Sequence, residues 1–113
     1  MVFMVTGNAL AEVIDGLNYI LDPDTKTATL TADTEEYSGD IVVPESVLAK
    51  DNISYTVTRF GDYCFNSCRN LTSVSIPSTV TSLGDRCFMS CINLTSINIP
   101  SSVTSLGENC FYD

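Results

Sequence analysis

The stretch NLTSVSIPSTVTSLGDRCF at residues 70–88 recurs, four residues later, as NLTSINIPSSVTSLGENCF at residues 93–111. The offset between the copies is 93 − 70 = 23, and positions 70–90 and 93–113 share 14 identical residues of 21. Self-similarity at a fixed period of roughly 20 to 50 residues is typical of chains that stack equal structural units into a solenoid. The duplicated stretch therefore predicts a repeat architecture and contains no catalytic motif.

The repeat extends upstream of these two copies. TVTRFGDYCF at residues 56–65 aligns with TVTSLGDRCF at residues 79–88, and IVVPESV at residues 41–47 has the apolar spacing of VSIPSTV at residues 74–80. The distance from Pro44 to Val57 exceeds that from Pro77 to Val80 by ten residues. We therefore predict repeats over residues 41–113, of which the first is interrupted by an insertion and the last is truncated.

Each unit is expected to form one coil with a short strand, a return segment and a short helical turn. One coil cannot bury its apolar side alone, but coils whose strands stack about 4.8 Å apart bury one another's apolar sides. Phenylalanines one period apart would then form a continuous column. The predicted repeat core is Cys64, Phe65, Leu71, Cys87, Phe88, Leu94, Cys110 and Phe111.

A glycine and an acidic residue precede each predicted helical turn. The glycines are expected to mark a bend at which a residue without Cβ is easily accommodated. The acids that follow would suit the positive end of a helix. The three pairs are Gly61 and Asp62, Gly84 and Asp85, and Gly107 and Glu108.

The segment before the repeats predicts strands and turns. GLNYILDPDTKTATLTA at residues 16–32 contains two runs of β-prone residues, at 17–21 and 27–31, separated by DPDT. Proline and aspartate favour a tight turn. We therefore predict a β-hairpin cap over residues 12–40.

The first eleven residues are open to two interpretations. MVFMV is apolar, and Ala9, Leu10 and Ala11 have the small-x-small form of a signal-peptidase site, so residues 1–11 predict the remainder of an export signal and a mature chain that begins near Glu12. No Lys or Arg precedes Lys26, and the apolar stretch is shorter than a complete signal. The alternative is a hydrophobic first strand that packs on the cap.

Composition excludes several classes of function. With 14 acidic and 5 basic residues the chain has a net charge of -9, which argues against nucleic acid and anionic membrane surfaces as partners. No stretch is long and apolar enough for membrane insertion. Histidine is absent, and no glycine-rich phosphate loop occurs. We therefore expect a protein that is not an enzyme and has no cofactor.

The five cysteines allow three arrangements. CFNSC at residues 64–68 and CFMSC at residues 87–91 could supply four thiolates to zinc. The stronger interpretation is that each thiol is a small buried hydrophobe beside the phenylalanine column, so that no metal is bound. Stacking could also bring Cys64, Cys87 and Cys110, or Cys68 and Cys91, into neighbouring coils, where an oxidising compartment would let some of them pair.

The apolar and glycine positions of the 23-residue unit resemble the leucine-rich repeat of BspA-like bacterial surface proteins, which has the same period. The motif is carried by Leu71, Val74, Ile76–Pro77, Val80, Leu83–Gly84, Cys87–Phe88 and Cys91, and a cysteine replaces the usual alanine of an Ala-Phe doublet. The hairpin and YSGDIVVP are similar to the segment that precedes the first repeat in Bacteroides-type members. The resemblance implies an α/β, β-rich, right-handed leucine-rich-repeat solenoid, export to the cell surface or secretion, and adhesion to a host or microbial protein or glycan.

A binding face can be proposed on the concave side of the strands. The ladder positions Ser73, Ser75, Ser96 and Asn98 are small and uncharged, and Val42 occupies the corresponding place on the first coil. The alternative anchors are Tyr63, Arg69, Arg86 and Tyr112. Two functions remain open, an adhesin-type binding module and a structural spacer or cap of a longer repeat protein.

The last repeat is expected to leave an apolar edge open, because it stops within its unit. We favour a fragment of a longer array. A homodimer through that edge is the alternative.

Overall fold

The computed structural model describes residues 3–4 and 9–111, and the described chain consists of strands joined by turns. Most of the predicted export signal and Tyr112 lie outside the described residues, so the signal remains a prediction. No helix occurs in the described part of the chain. The strands are β1 (Phe3–Met4), β2 (Leu10–Ile14), β3 (Leu17–Asp22), β4 (Thr27–Thr31), β5 (Gly39–Val42), β6 (Ser46–Leu48), β7 (Ser54–Phe60), β8 (Leu71–Ser75), β9 (Ser82–Leu83) and β10 (Ser105–Leu106).

Eight strands form one sheet, which we call the long sheet. Its order is β1-β2-β3-β4-β7-β9-β10, and β6 pairs with β7. Strands β1 to β4 run antiparallel, whereas β4, β7, β9 and β10 are parallel. The N-terminal strands therefore cap the solenoid by continuing its sheet.

The predicted hairpin is confirmed by the pairing of β3 with β4. Leu21 pairs with Ala28, and the turn is closed by the Lys26 amide, which donates to the Asp22 carbonyl at 2.8 Å. Leu17, Tyr19 and Leu21 alternate with half-buried residues along β3. This period of two is what a strand with one buried face requires.

The insertion in the first repeat folds back on the solenoid as a second hairpin. Strand β6 runs antiparallel to β7, with Val47 opposite Tyr55. The buried Glu12 carboxylate accepts a hydrogen bond from the Lys50 amide at 3.0 Å, which ties the insertion to β2. A ten-residue interruption is thus accommodated without displacing the coils on either side.

The second sheet, which we call the short sheet, follows the repeat spacing. Strand β5 pairs in parallel with β8, with Val42 opposite Ser75, and Ser75 forms a parallel bridge with Asn98. The first of these pairings spans one period plus the insertion, and the second spans one period. The hydrogen-bond register of the short sheet thus follows the 23-residue period.

The expected helical turn is wrong, and a run of hydrogen-bonded turns replaces it. The amides of Cys64, Asn66 and Cys68 each donate to the carbonyl three residues earlier, at 3.1–3.3 Å. The amides of Tyr63 and Ser67 instead donate to the next coil, to the Asp85 and Met89 carbonyls, at 2.9 and 2.7 Å. Because alternate amides point to a neighbouring coil, the i→i−4 pattern of an α-helix cannot form. Five non-glycine residues of these turns adopt positive φ: Tyr63, Ser67, Arg86, Ser90 and Asn109.

The acidic positions form a ladder between coils, so the prediction that they suit a helix terminus is also wrong. The Asp62 Oδ1 atom accepts a hydrogen bond from the Asp85 amide at 2.8 Å. The Asp85 Oδ1 atom accepts one from the Glu108 amide at the same distance. Each carboxylate thus satisfies a backbone donor of the coil that follows it.

The glycines before the second and third of these acids, Gly84 and Gly107, are required by close stacking. A Cβ atom at Gly84 would lie 2.5 Å from the Asp62 amide nitrogen and 2.6 Å from the Gly61 carbonyl carbon, and at Gly107 it would meet the backbone of Gly84 and Asp85. Only Gly16 and Gly39 among the described glycines have positive φ. The repeat glycines therefore serve contact between coils and not an unusual bend.

The core contains the predicted phenylalanine column. The rings of Phe65 and Phe88 stack with centroids 5.1 Å apart and planes inclined by 7°, and those of Phe88 and Phe111 stack at 5.3 Å and 1°. Phe111 is nevertheless 41% exposed, because only one of its faces is covered within the described residues, and Leu94 is half-buried. The remaining predicted core residues are buried: Cys64, Phe65, Leu71, Cys87, Phe88 and Cys110.

Candidate functional site

The outward side of the short sheet brings the predicted ladder residues together. Because side chains alternate along a strand, the burial of Ile76, Val74 and Val43 leaves the intervening residues on the outer side. One row contains Asp40 and Ser73, and the next contains Val42, Ser75 and Asn98. We call Asp40, Val42, Ser73, Ser75, Ser96 and Asn98 the short-sheet face. All six are exposed except Ser73, which is half-buried.

Asp40 is the charged residue of this face, and it is not among the binding residues predicted from the sequence. Its Oδ1 atom accepts hydrogen bonds from the hydroxyls of Thr72 and Ser73, each at 2.8 Å. These bonds stabilise the ionised form and lower the pKa of the Asp40 carboxyl. The signal was available, since Asp40 stands as far before Ser73 in the sequence as Val42 stands before Ser75. The face therefore presents one fixed negative charge.

Val42 is the apolar residue of the same face. Its side chain is 72% exposed, and it lies at the end of the row that continues through Ser75 and Asn98. The face thus combines a carboxylate, a neighbouring apolar group and small polar groups on a rigid parallel ladder. This set can form hydrogen bonds and one apolar contact with a partner.

The alternative anchors that the structure describes, Tyr63, Arg69 and Arg86, lie on the turn side of the coils, and two of them contact each other. The Arg86 guanidinium donates to the Tyr63 hydroxyl at 2.8 Å, and its central carbon lies 5.8 Å from the centre of the Tyr63 ring. The carbonyl of Arg69 accepts a hydrogen bond from Asn93. Tyr63 and Arg86 therefore bridge two coils, which favours a structural role for this pair.

The cysteines are free thiols that are arranged by repeat position. We call Cys64, Cys87 and Cys110, which are all at most 5% exposed, the thiol row. The Cys91 thiol donates to the Phe65 carbonyl at 2.9 Å. Burial raises the pKa of the Cys68 thiol to about 11. Neutral thiols are poor metal ligands and poor nucleophiles.

The four-thiolate zinc site is not formed in this fold. Across residues 9–111, no three Cys, Asp or Glu side chains are arranged to hold a metal ion. The repeat instead places the thiols in rows between stacked coils, beside the phenylalanine column. They contribute to the core as small apolar groups.

A hollow lies against the N-terminal strands. It has a volume of about 240 Å³ and is lined by residues of β2, β3 and the end of β4. Its titratable residues are Glu12, which is bonded to the Lys50 amide, and Tyr19, whose pKa is raised to about 12 by burial. The Thr31 hydroxyl, which also lines the hollow, donates to the Asn18 carbonyl.

Comparison with known proteins agrees with this geometry. The sequence profile of the BspA-type leucine-rich-repeat region matches residues 44–113. A leucine-rich cell-surface protein from Faecalibacterium prausnitzii is similar in structure, with 34% identity and a TM-score of 0.75 over 89% of this chain and 27% of that protein. A leucine-rich-repeat protein from Bacteroides capillosus has 26% identity and a TM-score of 0.76 over 87% of this chain and 71% of that one.

A third similar structure is the leucine-rich-repeat protein of T. pallidum, which supports the fold alone at 24% identity and a TM-score of 0.74. It is matched over 89% of this chain and 45% of its own length. The chain thus spans about a quarter of the F. prausnitzii protein and under half of the T. pallidum protein. No curated protein sequence matches it. No helix of the described residues is long and apolar enough to cross a membrane.

Proposed function

Because the chain belongs to the BspA-type leucine-rich-repeat family, we propose that it is a non-enzymatic binding module of a bacterial cell-surface protein, with the short-sheet face as its contact surface. The description of the F. prausnitzii relative as a cell-surface protein supports the location. The partner class we propose is a host or microbial protein, which corresponds to a role in adhesion.

The observation that carries this proposal is the composition and register of the short-sheet face. Asp40, Val42, Ser75 and Asn98 are exposed on strands that the core holds in fixed register. A preorganised face costs little conformational entropy on binding. Strong binding hot spots favour Trp, Tyr and Arg, which this face lacks. We therefore expect an extended contact of modest affinity that gains strength when several copies bind together.

The charged residues support a non-enzymatic role. The Asp62 and Asp85 carboxylates already serve the fold, since they accept backbone amides of the next coil. Histidine is absent from the chain. The chemistry that remains on the short-sheet face is recognition by hydrogen bonds, charge and one apolar side chain.

Export of the chain is part of the same proposal. Cleavage after Ala11 would leave Glu12 in the mature protein, and with it the hydrogen bond to the Lys50 amide. It would remove Leu10 and Ala11 from β2, where they pair with Leu21 and Ile20. The mature chain would therefore retain the hydrogen bond that ties the insertion to β2. N-terminal sequencing of the protein released from cells tests this start site.

The test of the binding face compares matched variants on an array of host extracellular-matrix proteins and bacterial surface proteins. Ser75→Arg and Asn98→Arg place a long charged side chain in the middle of the face, whereas Ser78→Arg places it on an exposed turn. Loss of about tenfold or more in affinity, about 1.4 kcal/mol, for the first two variants alone is expected. Equal binding by all three variants would contradict the proposed face. Absence of binding to any array protein would favour the structural spacer.

The last described coil is a second surface for which we propose a contact. Leu106 and Phe111 are 54% and 41% exposed, and both continue rows that are buried in the preceding coil as Leu83 and Phe88. A homodimer through this edge would cover them. Light scattering of the purified chain, with and without Leu106→Lys, tests this, because only an edge-mediated dimer would dissociate in the variant.

A further inference from the structure

Strand β5 has a hydrogen-bonded neighbour on only one side within the described chain. The short sheet begins with β5 and continues to β8, whereas the corresponding end of the long sheet is extended by β4 and the strands before it. The Gly39 and Val43 amides donate toward β8, to the Asn70 and Ser75 carbonyls at 2.8 and 3.2 Å. Because backbone groups alternate in direction along a strand, the N–H and C=O groups of Asp40 and Val42 face the opposite side. They form an open sheet edge.

An open edge of this kind is a template for another extended chain. Edge strands are commonly protected by lysine, by proline, by a bulge or by a covering segment. GDIV contains neither lysine nor proline, and the irregularity in its pairing lies between Gly39 and Asp40, before the stretch from Asp40 to Val42 that forms the open edge. Val42 is instead 72% exposed beside the edge. The backbone groups of β5 are thus accessible, and an apolar side chain adjoins them.

The charges around β5 indicate what kind of chain this edge accepts. Residues 33–45 contain five acidic residues and no Lys or Arg. All five are exposed, and the one ion pair found among the described residues, between Arg59 and Asp62, lies elsewhere. A second copy of this acidic chain would be repelled, whereas a basic segment would be attracted. The acids are Asp33, Glu35, Glu36, Asp40 and Glu45.

We propose that β5 binds an extended, basic segment of a partner protein as an added strand of the short sheet. The proposal rests on the binding role proposed above, but it uses the backbone edge of the sheet and not its face. Main-chain hydrogen bonds to Asp40 and Val42 would supply affinity, and alternate side chains of the added strand would supply specificity. An added strand lies about 4.8 Å from β5. A Lys or Arg would then stand beside the Asp40 carboxylate, and an apolar residue two positions away would stand beside Val42.

The probe for this proposal is the blocked heptapeptide TKTVTKT. It carries a lysine two positions from the valine on both sides, so it can bind in either strand direction. The control peptide TETVTET reverses the charge. Two further peptides carry N-methyl groups, one at the Lys and Val positions and the other at the Thr positions. An added strand directs only one of these two sets of amides toward β5.

Binding is measured at low salt by peptide titration followed in ¹H–¹⁵N correlation NMR spectra, together with amide hydrogen exchange. TKTVTKT should shift the amide signals of Asp40 and Val42 and slow their exchange, and only one of the two N-methylated peptides should retain binding. Binding should weaken as salt is raised, because exposed charges are screened. TETVTET should not bind. Shifts confined to Ser75 and Asn98, equal binding by both N-methylated peptides, or no binding at about 1 mM peptide would overturn the proposal.

Two variants at one position separate the edge from the side chain. Val42→Pro removes the N–H that faces away from β8, which proline at an edge strand tolerates, and Val42→Thr keeps that N–H. Val42→Pro should lose at least about tenfold in affinity for TKTVTKT, and Val42→Thr should stay within about threefold. Thermal unfolding reports whether each variant is folded. The Ser75→Arg and Asn98→Arg variants leave the β5 edge intact, so failure of edge binding and failure of the face are distinguishable.

Discussion

Replacing Gly84 by alanine should destabilise the solenoid far more than the same change at Gly61, although both glycines occupy the same repeat position. At Gly84 the new Cβ would lie 2.5 Å from the Asp62 amide nitrogen and from its Oδ1 atom. The first contact is with backbone, which cannot rotate away, so two coils must separate locally. At Gly61 the nearest atoms are the Leu30 carbonyl oxygen at 3.3 Å and the Thr29 methyl group at 3.4 Å.

The expected loss of unfolding free energy in Gly84→Ala follows from two effects. Overpacking against rigid neighbours costs about 1–3 kcal/mol. Separation of the coils also weakens the hydrogen bond from the Asp85 amide to the Asp62 carboxylate, and a net hydrogen bond is worth about 1 kcal/mol. We therefore expect the free energy of unfolding to fall by about 2–4 kcal/mol in Gly84→Ala. In Gly61→Ala we expect a loss of less than about 1 kcal/mol, since the contact with the Leu30 carbonyl oxygen is relieved by a small shift and Thr29 is a side chain that can adjust.

Urea unfolding followed by circular dichroism measures both variants against the parent chain. A loss of about 2 kcal/mol corresponds to roughly 8 °C in the midpoint of thermal unfolding for a chain of this length. If the repeat glycines served only a backbone bend, both variants would be destabilised equally. Equal losses in Gly61→Ala and Gly84→Ala would therefore refute the argument that stacking between coils selects glycine.

Three further predictions concern hydrogen bonds and thiols. The hydrogen bond from the Tyr55 hydroxyl lowers the pKa of the Asp51 carboxyl, so this pair stabilises the fold above the unfolded carboxyl pKa of about 4 and loses that effect as the pH falls below it. If the urea midpoint is measured as a function of pH, Asp51→Asn should therefore reduce the loss of stability on the acid side. An unchanged acid-side loss would contradict the pairing. The buried Tyr37 hydroxyl donates to the Thr31 carbonyl and accepts from the Asn18 amide, so Tyr37→Phe should cost about 1–3 kcal/mol in urea unfolding, and a neutral result would show that these bonds are dispensable. The thiol row should react with Ellman's reagent only after unfolding in urea, and rapid labelling of the native chain would contradict its burial.

The repeat spacing was sufficient to predict how the coils stack. Once residues 70–88 and 93–111 are aligned, the offset alone requires that Ser75 and Asn98 share one row and that the phenylalanines stack. The residues that face the core were predicted from the alternation of apolar and polar residues within each repeat. These features depend on periodicity, which a sequence shows directly.

The local conformation of the turns could not be read in the same way. Tyr63 and Ser67 adopt positive φ, which their side chains do not favour, in a turn whose amides at Tyr63, Phe65 and Ser67 donate to carbonyls of the next coil. A short apolar run with cysteine and phenylalanine three or four residues apart is compatible with a helix. The competing hydrogen bonds come from a different coil, which no local pattern reveals.

Long-range polar contacts were missed for the same reason. Glu12 is buried because it meets the Lys50 amide of an insertion 38 residues later. Asp40 is held by Thr72 and Ser73, which follow it by 32 and 33 residues. Both acids look like ordinary solvated residues in the sequence. The edge of β5 is likewise a property of sheet order and not of its four residues.

The hydrogen bonds between coils also bear on how such chains change length during evolution. The turn amides that cross between coils, the carboxylate ladder and the pairings of β7 with β9 and of β9 with β10 all join residues that lie about one period apart. Unequal recombination between two repeats of a gene adds or removes DNA in steps of one period, so every contact across the new junction has the same form as the contacts it replaces. An insertion of any other length must fold outside the stacked coils, as the ten-residue insertion that contains β6 does. Whole repeats are therefore the unit in which this architecture can grow without redesign of its core.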